Sequence, residues 1–489
     1  MTARRIIRPL HRLGAMLAAV LVAVAIAACT PGAGGSKSSS GKVNPSQAKP
    51  KTLHMLYATA EADAAAVQAL VPAFKQKFGF DLAIDTQPYD ALQQKVFSEL
   101  ASQSPYYDII IVDTPWAPAL TRSLEPLSSY VNNAALNDQA ATDLGDFIPK
   151  VFFDTAVYKA GNPVEHFPDS TAKPDTSTIT GKGFEVYGLP IQANALTMAY
   201  RKDLFDNPQE KAKFQQQYGK PLTVPTTWDE YTTVAKFFTR PSQHLYGTTV
   251  MAGVGDWATD DFKSLLASFG GNGHLVGDNL SLDFKSDAGV KALTYYRDLI
   301  NKDKVVPPGS TSASWDETAS MFDSGLTAMS MNYHTLTLDS KVKGGEIAYA
   351  PVPKGVAEGP HFGTWMLSVN KASANKAWAY RAITWLTAAE QQLTMTKQEL
   401  HPSRVSVYDK VGNDPAVEKS TGNFYKVLGQ SLAVGVGRAR LTDYTEVSHA
   451  IAVAVNQAAS GKQDPKAALD SAAAEVTRLL KQAGYKVPS

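Results

Sequence analysis

Between Leu53 and Val112 the chain switches repeatedly between strand-like and helix-like hydrophobic periods, which restricts the folds open to it more than any other feature. Leu53-His54-Met55-Leu56-Tyr57 is a short strand-like run. Ala64 to Phe78 then places Val67, Leu70, Val71, Phe74 and Phe78 at helical spacing. Gly79 marks the stop of that helix, as a C-cap glycine does. Asp81-Leu82-Ala83-Ile84-Asp85 alternates as a strand, and Tyr89 to Ser102 reads as a helix. Ile109-Ile110-Ile111-Val112 is continuously apolar and suits a strand buried on both faces. The order strand, helix, strand, helix, strand points to an α/β layer with a parallel sheet. Ligands of such layers bind at the carboxyl ends of the strands. Here those ends carry Ala58-Thr59-Ala60-Glu61, Tyr89-Asp90 and Asp113-Thr114-Pro115-Trp116.

The start of the chain has a different character. Arg4, Arg5, Arg8 and Arg12 precede an apolar run from Leu13 to Ala28 that is short for a membrane span. A basic segment followed by a short apolar one is the pattern of a secretory signal. The run closes on Ile26-Ala27-Ala28-Cys29, similar to the bacterial lipobox, and Cys29 is the only cysteine in 489 residues. The Gly/Ser-rich stretch from Thr30 to Gly41 has the composition of a flexible tether. These features predict a signal peptide over residues 1–28 and a lipid-anchored linker over residues 29–51. Without the signal, 43 basic face 46 acidic side chains, a balance with no general attraction for nucleic acid.

The remainder reads as two lobes. Phe147 to Lys182, rich in Pro, Asp and Thr, reads as an irregular excursion. Strands are expected at Leu196–Tyr200, Ala328–Tyr333, Glu346–Pro351 and Thr364–Val369, and helices at Trp228–Phe238, Gly289–Asn301, Trp315–Phe322, Asn375–Leu386 and Pro465–Gln482.

Catalysis finds no foothold in this pattern. Trp228-Asp229-Glu230 and Trp315-Asp316-Glu317 offer paired carboxylates of the kind glycosidases use. Both, however, follow a hydroxyl residue at capping-box spacing, Thr227 to Glu230 and Ser314 to Glu317, which assigns the acids to helix starts and leaves the Trp315 indole free. Ser368-x-x-Lys371 falls inside an apolar strand, where an acylating serine would not sit. There is no Gly-x-Ser-x-Gly, no phosphate loop and no His-Glu-x-x-His, and the nine His are never paired at i, i+3 or i, i+4. No cofactor and no metal site is expected. What the loops do hold is Trp and Tyr beside Asp, Asn and Gln. Aromatic faces cover the apolar C–H faces of a sugar, and carboxylates and amides serve its hydroxyl rim. Trp378 and Trp385, seven apart on one helix face, belong instead to the core.

Several segments in order resemble the extracellular sugar-binding lipoproteins of bacterial ABC importers, solute-binding family 1 of the maltose-binding type. They are Tyr187-Gly188-Leu189-Pro190 with Tyr200-Arg201-Lys202-Asp203-Leu204-Phe205, Pro225-Thr226-Thr227-Trp228-Asp229-Glu230, Pro307 through Glu317, Ala328-Met329 with Asn332-Tyr333, and Gly363-Thr364-Trp365-Met366-Leu367-Ser368-Val369-Asn370-Lys371. The resemblance implies an α/β fold of the two-lobed periplasmic-binding-protein type (type II, cluster D-like) with three hinge crossovers, here near Ala195, Leu326 and Gly363. It implies an N-terminal lobe of residues 52–195 and 327–363 and a C-terminal lobe of residues 196–326 and 364–489. It implies a non-enzymatic, monomeric receptor that takes a sugar, polyol or short oligosaccharide between the lobes. A membrane permease with a separate ATPase would be its partner, and a lipid on Cys29 would hold it at the outer face of the cytoplasmic membrane. The ligand residues implied are Thr59, Glu61, Tyr89, Asp113, Trp116, Gln192, Asn194, Trp257, Trp315, Tyr333, Trp365 and Arg404. A receptor for a glycerophosphodiester or other non-sugar solute, and an exported glycosidase, are the alternatives.

Overall fold

A computed structural model describes residues 44–59, 63–137, 142–333 and 346–488. The expected signal peptide, Cys29 and Glu61 lie outside the described residues. Ten strands occur in chain order: β1 Thr52–Ala58, β2 Asp81–Gln87, β3 Ile109–Asp113, β4 Val157–Lys159, β5 Phe184–Val186, β6 Leu189–Ala195, β7 Thr197–Arg201, β8 Met329–Asn332, β9 Ile347–Ala350 and β10 Phe362–Val369. The first lobe is built on a five-stranded sheet in the order β2-β1-β3-β10-β6. β1 pairs in parallel with β2 and β3, as the period switching requires, whereas β10 is antiparallel to both β3 and β6. Every residue of β3 is buried, consistent with its unbroken apolar run.

The expected helix over Ala64–Phe78 is divided into Ala64–Gln68 and Val71–Phe78. Pro72 is the reason, since it has no N–H to continue the ladder and fits only in the first turn of a new helix. Gly79 caps the second piece at φ 77°, its N–H donating to the Lys75 carbonyl. The excursion expected over Phe147–Lys182 begins with a helix, Pro149–Ala156, whose Val151, Phe152, Phe153 and Ala156 are all buried. Residues 45–49, expected to lie within the linker, are instead held against the body. The Trp378 indole donates to the Gln47 carbonyl at 2.9 Å, and Arg381 Nη2 donates to that of Pro45 at 3.2 Å, so residues 45–49 are fastened to the helix Lys376–Leu386. Trp378 and Trp385 pack edge-on against Phe74, Phe78 and Phe80, in the core where they were expected.

The second lobe surrounds an antiparallel sheet, β8-β7-β9. This pairing corrects the lobe assignment. β8 and β9 belong with β7 in the second lobe, so the stretch 327–361 is not part of the first. β10 and the helices Lys376–Leu386 and Ala389–Met395 belong with β3 and β6 in the first lobe, so 364–400 is not second-lobe. Two of three apolar cores record the same division. One runs through Leu53–Ile191 and Trp365–Leu400, the other through Leu196–Val352 and Ala439–Leu480. The third joins Ala193 and Ala195 of β6 to Ala199, Phe322 and Tyr349 of the second lobe through Tyr408, Phe424 and Leu428.

The crossings follow from this. Ala195–Leu196 and His361–Phe362 match two expected sites. The third is not Leu326, which lies between two second-lobe elements and accepts from Tyr246 N–H at 2.8 Å. It is the segment Val434–Arg438, which leads out of the helix Phe424–Val434. The three segments lie side by side: Leu196 N–H donates to His361 O at 2.8 Å, and Phe362 N–H donates to Val436 O at 3.1 Å.

Both expected capping boxes are present. Thr227 Oγ1 accepts from Glu230 N–H at 3.3 Å and Glu230 Oε2 accepts from Thr227 N–H at 3.2 Å, with the same exchange between Ser314 and Glu317. Thr227→Ala should therefore cost about 0.5–2 kcal/mol in denaturant unfolding. An unchanged midpoint would show that the box contributes nothing.

Candidate functional site

The first wall of the candidate site stands at the carboxyl end of β3. In register, Trp365 of β10 lies opposite Asp113 on one side and Gln192 of β6 on the other. After β3 the chain turns at once: Asp113 Oδ1 accepts from Thr114 N–H at 2.8 Å, and the Asp113 carbonyl accepts from Trp116 N–H at 3.0 Å. This turn folds the Trp116 indole back to 5.4 Å from that of Trp365, nearly perpendicular to it. Tyr89 opens the helix Tyr89–Ala101 and completes the cluster, 5.2 Å from Trp116 and 5.9 Å from Trp365. Its hydroxyl donates to Asp113 Oδ2 at 2.8 Å. Burial raises the Asp113 carboxyl to about 6, even though Arg438 and the Tyr89 hydroxyl favour its charge.

The second wall comes from the other lobe. Trp257 lies in the first turn of the helix Asp256–Ser268. A Cβ on Gly255 would fall 2.2 Å from its indole, so the ring folds back only because residue 255 is glycine. Trp315 begins the helix Trp315–Asp323, and with Ser314 and Glu317 engaged in capping its indole is free to face Trp257, 5.4 Å away at 74°. Tyr333 follows β8, 6.4 Å from Trp315. Asn332 fixes this corner, its Nδ2 donating to the Trp315 carbonyl at 2.9 Å and its Oδ1 accepting from Tyr333 N–H at 2.8 Å.

Gly363 is where the walls meet. A Cβ there would lie 3.4 Å from Tyr333 Oη and 3.6 Å from Arg438 Nη1. Arg438 was not anticipated from the sequence. Its Nε donates to Asp256 Oδ2 at 3.0 Å, and its Nη2 lies 2.9 Å from that same oxygen and donates to Asp260 Oδ1 at 3.5 Å. Burial disfavours charge on Asp256, but Arg438 and Lys263 outweigh it and hold the carboxyl well below the usual range. The one local signal for Arg438 is its place after Gly435-Val436-Gly437, where the chain can pass close to its neighbours.

Five buried polar atoms around this junction have no hydrogen-bond partner among the described residues: Gln192 Oε1, Trp257 Nε1, Trp315 Nε1, Tyr333 Oη and Arg438 Nη1. Leaving such groups unpaired costs about 1–3 kcal/mol each. They comprise donors that need an oxygen and an acceptor that needs a hydroxyl, beside six aromatic rings.

Tyr89, Asp113, Trp116, Gln192, Trp257, Trp315, Tyr333 and Trp365 are thus brought to the two walls, with Asn194 adjoining. Asn194 is paired in register with Gly363, but its Oδ1 is occupied by Ala195 N–H at 2.9 Å. Thr59 lies past the end of β1, exposed, with its backbone N–H on the Gln87 carbonyl. Arg404 is a correction. It is fully buried in the first lobe, its guanidinium donating to the carbonyls of Thr387, Asp143 and Thr142 and lying 3.9 Å from the Phe147 ring centroid. A guanidinium committed to that many carbonyls serves the fold. Among the described residues no group of three or more His, Cys, Asp or Glu is arranged to hold a metal ion.

Residues 58–393 match the family model of the bacterial extracellular solute-binding proteins. The mannitol-binding protein of Pseudomonas aeruginosa is 23% identical over 354 residues, covering 67% of this chain and 76% of that protein. Among solved structures, maltose-bound MalE3 of T. maritima superposes with a TM-score of 0.67 at 23% identity, over 88% of this chain and 100% of that one. An ABC transporter solute-binding protein of Agrobacterium radiobacter in complex with ribitol gives 0.68 at 24%, with the same coverage.

Proposed function

This chain belongs to the bacterial extracellular solute-binding proteins, and on that footing we propose that it captures a sugar, polyol or short oligosaccharide between its lobes for an ABC importer. The observation that carries the reading is the set of five unpartnered polar atoms set between two aromatic walls, one from each lobe. The C–H faces of a carbohydrate lie against Trp116, Trp365, Trp257 and Trp315. Its hydroxyls donate to Asp113 and Gln192, and its oxygens accept from the two indoles and Arg438. A ligand touching both walls binds the closed arrangement better than an open one, and that difference shifts the population toward closure about the three crossings. The closed form is what a membrane permease with a separate ATPase would recognise. Cleavage before Cys29 and lipid attachment there would hold this monomeric, non-catalytic receptor at the outer face of the cytoplasmic membrane. A glycerophosphodiester is the weaker reading, because Asp256 and Asp260 already neutralise the charge of Arg438.

A thermal-shift screen of the purified protein tests this, with maltose, ribitol, D-mannitol, D-tagatose and glycerophosphodiesters. A ligand at a hundred times its dissociation constant adds about 2.7 kcal/mol of stability. A shift from a carbohydrate, recovered chemically unchanged, supports the reading. A shift from a phosphodiester alone overturns the choice of ligand, and turnover of the sugar overturns the non-catalytic role.

Asp113 gives this site a pH signature. Its folded-state value of about 6 is above the ordinary 3.8, so the stability it contributes is greatest below the unfolded value and is lost as pH rises through 6. Sugar affinity runs the other way, because only the carboxylate accepts at both oxygens. Affinity should be level above pH 7 and fall as pH drops through 6, and Asp113→Asn should abolish that fall while raising stability at pH 8. A titration by calorimetry across pH 5–8 decides it.

A further inference from the structure

His361 is the residue at which the three crossings meet. Its carbonyl accepts from Leu196 N–H of the first crossing at 2.8 Å, and its ring Nδ1 lies 2.8 Å from the Val436 carbonyl of the third. Its own N–H donates to Ser264 Oγ at 2.8 Å on the helix Asp256–Ser268. A carbonyl only accepts, so Nδ1 carries the hydrogen and Nε2 presents a lone pair. That lone pair faces Lys263 Nζ at 3.2 Å, with Asp260 Oδ1 3.1 Å from the same nitrogen. Lys263 has three ammonium hydrogens and three acceptors: Asp260 Oδ1 at 3.0 Å, His361 Nε2 at 3.2 Å and Tyr444 Oη at 3.2 Å. Tyr444 in turn donates to Asp256 Oδ1 at 2.9 Å, and Asp256 and Asp260 are the carboxylates around Arg438. Lys263, Asp260 and His361 have no exposed surface at all.

Resting on the reading of the cleft as a sugar site, we propose that Lys263 and His361 are positioning residues for ligand capture. They take up part of the negative charge of the two carboxylates, so that Arg438 keeps Nε and Nη2 close against Asp256, with only a long bond to Asp260, and presents Nη1 at the junction of the lobes. The same contacts fasten that arrangement to the hinge. Without the ammonium, two buried carboxylates share one guanidinium, which is drawn between them and away from the site. The charged and titratable groups facing the His361 ring are Asp260 and Lys263 from the helix, Arg438 from the third crossing and Tyr333 after β8, with Asp256 and Tyr444 behind them. Burial and the Lys263 charge push the ring down to about 4, so it is neutral in the intact protein. Removal of Lys263 makes His361 the base beside Asp260, and the ring takes up the missing positive charge as pH falls.

The test is calorimetric titration of the full-length protein and of Lys263→Met with maltose, ribitol, D-mannitol and D-tagatose at pH 8 and pH 6.5. The variant should bind the sugar taken by the wild type at least tenfold more weakly at pH 8 and regain several-fold at pH 6.5. The wild type should gain nothing over that interval, and Lys263→Met with His361→Gln should not recover. An unaltered affinity, or a loss equal at both pH values, overturns the role. Should Lys263→Met fail to fold, imidazole nitrogen spectra of the wild type decide. A neutral Nδ1–H ring from pH 8 to 5 that shifts when the sugar is added supports the role, and a ring protonated at pH 7 or silent to the sugar overturns it. Silence of the wild type toward all four sugars strikes down the reading of the cleft itself, whereas binding by the wild type with an unaltered variant strikes down this role alone.

Discussion

Arg438→Met should lower stability by about 3–5 kcal/mol at pH 8, the cost of leaving buried carboxylates without their partner. Arg438 is 5% exposed, and its guanidinium supplies one hydrogen bond to Asp256, one to Asp260 and a second close ion contact to Asp256. The methionine fills similar space, so the loss is electrostatic rather than a cavity effect. The pH dependence identifies its origin. In the wild type Asp256 is held below its ordinary value, so its contribution is present above the unfolded value and is lost only as pH falls through the depressed one. In the variant that carboxyl titrates at higher pH, and protonation relieves it. The difference between the two proteins should therefore shrink from pH 8 to pH 5 in denaturant unfolding. Adding Asp256→Asn to Arg438→Met should restore part of the loss at pH 8. A difference independent of pH would assign the cost to packing and remove the ion network from the account.

Trp365→Ala should weaken sugar binding by at least about 1–3 kcal/mol, the scale of a lost aromatic contact or of hydroxyls left unpaired. It should also cost about 3–5 kcal/mol of stability, because the indole is buried among Trp116, Tyr89 and the β3–β10–β6 layer. The two effects are separable. Trp365→Phe keeps a ring against Trp116 and should recover most of the stability while binding stays weaker than wild type. Wild-type affinity in folded Trp365→Ala would remove this residue from the site.

How far the placement of the candidate site's residues could be read in advance depended on whether their contacts are local. Thr227–Glu230 and Ser314–Glu317 were legible because a capping box is complete within four residues. Asp113 and Trp116 were legible because one turn after a buried strand carries both. Arg404 was misread because a Pro-x-Arg segment says nothing of the carbonyls of Thr142, Asp143 and Thr387 that gather round its guanidinium. Arg438 was missed for the converse reason, since its partners Asp256 and Asp260 lie on a helix remote in sequence.

By itself the sequence determined the layer type, the buried β3 strand, the helix starts and the aromatic character of the loops, all of which follow from the period and chemistry of neighbouring residues. Only the tertiary structure decided that β8 and β9 join β7 while β10 inserts between β3 and β6, that the third crossing is Val434–Arg438, and that His361 binds all three crossings together. The reason is that strand pairing is set by backbone hydrogen bonds, which every residue but proline can make. Which distant segments form them depends on how whole cores bury their apolar faces, and a buried charge finds its partner only after that has happened.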